Sequence, residues 1–165
     1  MTYRILNYRL TGASWSLQFS EAALHTLLEH VQHSLSSKES VGQLFARDLS
    51  VNPIVVEVAT VLTPTRAARA RVTFDTHRAI AERDALFRRG LHCIGLWHTH
   101  PETSPTPSTD DRILAREHAL AARPQLAGLM FAIVGTIPPP VGVRVWVDDG
   151  IEFREALAWN DSDRK

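Results

Sequence analysis

A mixed α/β (α+β) fold is what this sequence predicts: a curved mixed sheet of about eight strands flanked by about three helices. Three observations carry that expectation. Ser20 opens a segment whose apolar residues, Leu24, Leu27, Leu28, Val31 and Leu35, recur at helical spacing. The run 126–134 (LAGLMFAIV) is almost continuously apolar between breakers, as a central buried strand should be. Strand-like segments then follow one another to the C-terminal end, with no helical pattern between them.

Length and composition fit that class. A chain of 165 residues is expected to form one domain, 1–165, that buries roughly two thirds of its unfolded surface. Hydrophobic residues make up 44% and charged residues 22%, ordinary proportions for a globular protein. Eighteen basic residues balance eighteen acidic ones. The charge therefore gives no sign of a nucleic-acid or membrane-surface partner. Cys93 is the single cysteine, which excludes an intramolecular disulfide and a Cys-based zinc site. In its apolar run it reads as a small core residue. No signal-peptide pattern opens the chain and no run approaches the ~18 apolar residues of a membrane span, so a cytoplasmic protein is the default expectation.

Taken in order, residues 3–10 and 15–19 read as two short strands joined by a turn at Thr11-Gly12-Ala13. The Ser20 helix carries His25, His30 and His33 on or near it. They read as solvated, because no carboxylate or thiol completes a metal set. Residues 40–46 form a strand. Pro53 begins another over 54–62, rich in β-branched residues, and Pro64 closes it. The loop 65–71, with Arg66, Arg69 and Arg71, reads as solvated or as a docking patch for an acidic segment. Residues 72–74 extend a strand. A helix follows over 76–89, with Ile80 and Phe87 seven apart on one side and Gly90 as its stop. A strand at 91–97 leads to a proline-rich loop, and a helix runs from Ser108 to about Ala122. After the strand over 126–134, Pro138-Pro139-Pro140 makes a rigid turn. A strand at 143–147, a hairpin turn at Asp148-Asp149-Gly150 and a strand over 151–159 complete the pattern, with a frayed charged tail after Asn160.

The chemistry gathers where the strand at 91–97 ends. His98 and His100 are two residues apart, so on an extended backbone both imidazoles face the same side while Thr99 faces the other. Asp111, in the first turn of the following helix, can supply a third ligand. Two histidines and one carboxylate with an open fourth position is the pattern of a catalytic zinc site, and the absence of thiolates argues against a closed structural one. Ser108 and Asp111 are equally explained as the capping box that starts the helix, and the two readings can hold together. A water activated by the metal needs a base. Glu39, at the mouth of the strand over 40–46, is the best candidate, although an exposed acid at a strand start is common. His118 shares a helix face with Asp111, as a supporting group or an ordinary core or surface histidine.

His98-Thr99-His100-Pro101 followed by Ser108-Thr109-Asp110-Asp111 resembles the signature of the JAMM (MPN+, Mov34-type) metalloproteases, H-x-H-P then S-x-x-D. Glu39 before the Gly42-containing strand looks like that family's upstream glutamate. The resemblance extends over nearly the whole chain and implies a cytidine-deaminase-like MPN fold. It implies one Zn2+ per chain held by His98, His100 and Asp111, with Glu39 as general acid/base. It also implies that Ser108 steadies the oxyanion. The substrate it implies is a peptide or isopeptide bond at the C-terminal tail of a ubiquitin-like protein or its conjugates. The short chain looks like bacterial members found with E1- and E2-like enzymes, some of them anti-phage. Three alternatives stand beside it: a hydrolase of small sulfur-carrier conjugates, a RadC-like protein linked to DNA repair, and a tail-binding module that does not cleave.

Overall fold

A computed structural model of the chain describes residues 5–65 and 73–160. Its strands are β1 (Leu6–Arg9), β2 (Ser16–Phe19), β3 (Val41–Ala46), β4 (Ile54–Val56), β5 (Val58–Ala59), β6 (Pro64–Thr65), β7 (Thr73–Phe74), β8 (His92–Thr99), β9 (Leu129–Val134), β10 (Val143–Asp148) and β11 (Phe153–Trp159). Its helices are α1 (Glu21–Glu29), α2 (Thr76–Phe87) and α3 (Thr109–Ala122). Nine strands form one mixed sheet in the order β4-β2-β1-β11-β10-β9-β8-β3-β5, and β6 and β7 pair separately. The mixed α+β class and the three helices agree with expectation, and the strand count exceeds it.

One reason is β6, where a closing proline and a loop were expected; the other is the segment 54–62. Its β-branched run reads as one strand, yet it divides at Glu57. β4 runs parallel to β2, while β5 runs antiparallel to β3 at the other margin of the sheet. Glu57 N–H donates to the Phe45 carbonyl, and Ser20 Oγ–H donates to the Glu57 carbonyl. One short segment thus belongs to both margins, and the sheet is curved, as predicted.

The two faces of the sheet bury different partners. Along β9 the side chains alternate. Met130, Ala132 and Val134 join Ala23, Leu24 and Leu27 of α1 in one core. Leu129 and Phe131 join Ala79 of α2 and Ala115 and Ala119 of α3 in the other. Tyr8 is 1% exposed and its hydroxyl donates to the Val143 carbonyl, tying β1 to β10 across the first core.

Two helices differ from the pattern that announced them. α1 stops at Glu29, where His30 caps it, and Leu35 is 87% exposed. The serines at 34, 36 and 37 bond to one another and hold the chain in a turn instead. His30 is not simply solvated: its Nδ1 lies 2.8 Å from the Thr26 carbonyl and its ring packs edge-on against Trp97. On α2, Ile80 and Phe87 face outward and only Ala79 is buried. The helix is held there by polar contacts of its other face to Gln43. Residues 66–72, and with them Arg66, Arg69 and Arg71, lie outside the described residues, as does the tail after Asn160.

An ion pair fixes α3. Asp148, read from sequence as a turn residue, is the last residue of β10 and wholly buried. Arg116 Nε donates to both of its carboxylate oxygens, at 3.0 and 3.1 Å, and the Gly150 N–H donates at 2.7 Å. Arg116→Ala leaves a buried carboxylate with one partner. The expected loss is about 3 kcal/mol, the low end for a broken buried pair because Arg116 is itself part-exposed. Urea unfolding against wild type measures it.

Candidate metal centre

The site lies where β8, β3 and α3 meet. β8 runs antiparallel to β3 and parallel to β9, with Val41 opposite His98 and Gly42 opposite Trp97. Continuing that ladder by two residues sets Glu39 beside His100. Side chains opposite each other in an antiparallel pair share a face. Glu39, His98 and His100 therefore look toward α3, while Ser40 and Thr99 look the other way. The strand runs two residues further than the sequence suggested, so His98 sits within it and His100 just beyond, where its N–H donates to the Val134 carbonyl at 2.9 Å.

α3 brings the third group. Ser108 caps the helix by accepting from the Asp111 N–H at 3.1 Å, and Asp111 Oδ2 accepts from the Ser108 N–H at 2.7 Å. This is the capping box the sequence announced. The same carboxylate faces the histidines: Oδ1 is 3.2 Å from His98 Nε2 and Oδ2 is 3.3 Å from His100 Nε2. The two Nε2 atoms are 3.0 Å apart. Capping and convergence on a common point are thus properties of one side chain.

These spacings suit a small tetrahedral cation. Ligand atoms about 2.0–2.1 Å from such an ion stand about 3.3 Å from one another. Two imidazole nitrogens and a carboxylate are also the donor types such a site uses. No thiol converges there: Cys93 is mostly buried, its Sγ 3.7 Å from Gln43 Oε1, and burial pushes its thiol up.

The charges interlock. Burial alone would raise the Asp111 carboxyl, but hydrogen bonds to His100 and His98 hold it well below the usual carboxylate range. Burial would lower His100, and Asp111 and then Glu102 and Glu39 more than offset it, so His100 is raised. Glu39 is raised because burial outweighs the attraction of His98 and His100. A half-buried carboxylate pushed toward neutrality beside three candidate ligands is suited to take up and release a proton.

Sequence reasoning missed several contributors. Glu102 Oε1 is 3.5 Å from His100 Nδ1, the ring nitrogen turned away from the other ligands, and its Oε2 accepts from the Thr106 N–H at 3.0 Å. An acid two residues after His100 was the available signal. Gln43, fully buried, donates to Ala79 O and Glu82 Oε1 and accepts from Arg83 Nε, which seats α2 on β3. His118 does not join the converging atoms. It packs on Phe74 with ring centroids 5.6 Å apart, and burial followed by Arg83 holds it below its ordinary value.

The family model for prokaryotic homologs of the JAB domain matches residues 20–149. The chain belongs to this family. The matched span of this JAB domain contains Glu39, His98, His100, Ser108 and Asp111. A Pseudomonas aeruginosa protein described as a CD-NTase/cGAS isopeptidase is 38% identical over 101 residues, 58% of this chain. The match spans 63% of that protein's length. The solution structure of a Desulfitobacterium hafniense protein superimposes with a TM-score of 0.62, covering 83% of this chain and 87% of that one at 19% identity. That likeness concerns the fold alone. Among the described residues of the JAB domain, no helix is long and apolar enough to cross a membrane.

Proposed function

We propose that this JAB domain is a zinc-dependent isopeptidase or peptidase that cleaves after the C-terminal tail of a ubiquitin-like protein. The observation that carries the reading is the convergence of His98, His100 and Asp111 on one point with Glu39 alongside. The name of the Pseudomonas relative supports the same reaction class and a place beside a bacterial CD-NTase. The conjugates of that pathway and its E1- and E2-like enzymes are the partners this reading implies.

His98, His100 and Asp111 would hold the metal. Zinc, when bound there, supplies Lewis-acid polarisation of the scissile carbonyl and lowers the pKa of its water to about 7. Glu39 accepts a proton from the attacking water and later delivers it to the departing amine. Ser108 Oγ accepts the Asp111 N–H, so its own proton is free to donate to the carbonyl oxygen as that atom becomes anionic.

The test is to incubate zinc-loaded protein with a ubiquitin-like domain carrying a C-terminal extension and to read the products by mass spectrometry. Scission after the tail, stopped by chelation and restored by zinc, is expected. An intact fusion in the presence of stoichiometric bound zinc would leave a binding module in its place. Ser108→Ala is expected to lower kcat about 10²-fold by removing one oxyanion donor. It should also cost about 1 kcal/mol of stability by removing the cap of α3, readable as a lower Tm.

A further inference from the structure

Thr99 lies between the two candidate ligands and faces away from them. It is fully buried. Its N–H donates to the Ser40 carbonyl at 3.0 Å, as an antiparallel ladder requires. The reciprocal bond is different: the Ser40 N–H donates to the Thr99 side-chain hydroxyl, Oγ1, at 2.9 Å. A side chain thus stands in for the main-chain carbonyl at the last rung between β3 and β8. Both main-chain polar groups of Ser40 are consequently held by one residue, and Ser40 is joined directly to Glu39.

The rung matters because Glu39 lies outside β3, in a segment without regular structure. Val41, opposite His98, gives its carbonyl to the Leu62 N–H on its other side, so the next bonded rung to β8 is Gly42 with Trp97. Without the Thr99 hydroxyl, the Ser40 N–H loses its partner and the segment before Val41 keeps one bond to β8. A base acts only within hydrogen-bond reach of the proton it moves, and a displacement of about 1 Å can cost ~10²-fold.

We propose that Thr99 is a positioning residue whose hydroxyl, through Ser40, holds Glu39 against the histidine pair. The inference rests on the reading of Glu39 as the base of a hydrolytic site. It assigns a duty to the middle residue of His98-Thr99-His100 that is separate from metal ligation.

The experiment compares Thr99→Val, which removes the hydroxyl at similar size, with Thr99→Ser, which keeps it. In metal-free protein, amide exchange at Ser40 should quicken about fivefold to tenfold in Thr99→Val and return to the wild-type rate in Thr99→Ser. On the extended ubiquitin-like fusion, zinc-loaded Thr99→Val should lose about tenfold or more in kcat, with KM and zinc affinity unchanged, and Thr99→Ser should recover it. In a Glu39→Gln background, Thr99→Val should add no further loss. Unchanged Ser40 exchange in Thr99→Val would overturn the latch. Loss of activity in Thr99→Ser equal to that in Thr99→Val, or additional loss in the Glu39→Gln background, would show that Thr99 acts by packing and not through Glu39. A fully active Glu39→Gln protein would instead remove the base assignment, and the exchange measurement separates that failure from failure of the latch.

Discussion

Glu39→Gln is expected to lower hydrolysis of a ubiquitin-like fusion by about 10³-fold, within the 10²–10⁴ that a positioned general acid–base contributes. The folded protein and its zinc should both survive. Glutamine keeps the size and polarity of the side chain but cannot cycle a proton. Glu39 is half-buried, and none of the three converging ligand atoms belongs to it. Calorimetric zinc titration, Tm and turnover together make the test: wild-type turnover in a zinc-replete Glu39→Gln protein rules out Glu39 as the base. Lost zinc would instead place Glu39 among the ligands.

The largest stability effect is expected at Gly42, in β3 opposite Trp97. A Cβ there would lie 1.7 Å from the Thr60 carbonyl oxygen and 2.5 Å from Trp97 Nε1. Those two atoms are themselves bonded, the indole donating to the carbonyl at 2.8 Å, and Trp97 is fully buried. Neither can yield by a simple rotation, because one is main chain and the other is packed in the core. Gly42→Ala should therefore exceed the usual 1–3 kcal/mol of overpacking and reach about 4 kcal/mol. Chemical unfolding measures it; a loss below about 1 kcal/mol would mean that the chain at Thr60 gives way freely. Because β3 leads out of Glu39 and pairs with the histidine strand, turnover should fall as well.

Much of this was legible because the relevant signals are local. Alternation places His98 and His100 on one side of any extended segment. Ser108 and Asp111 start a helix by a rule of four residues, and the structure uses both, with the carboxylate also turned to the imidazoles. The segment 54–62 was not legible, since nothing in a β-branched run tells which neighbour each half will pair with. The outward placement of Ile80 and Phe87 was hidden for the converse reason. Helical spacing shows which residues share a face, but Gln43, from a distant strand, decides which face is seated. Asp148 resembled a turn residue because its partner, Arg116, is thirty-two positions away.

The division at Glu57 has a consequence for how the molecule meets other chains. A sheet usually ends in strands whose unpaired N–H and C=O groups can template a foreign strand. Here the terminal strands are three and two residues long and are separated only by Glu57. Each margin is thereby blunted by the segment that serves the other. So little exposed ladder gives an incoming strand almost no length over which to register, which guards the curved sheet against edge-to-edge aggregation.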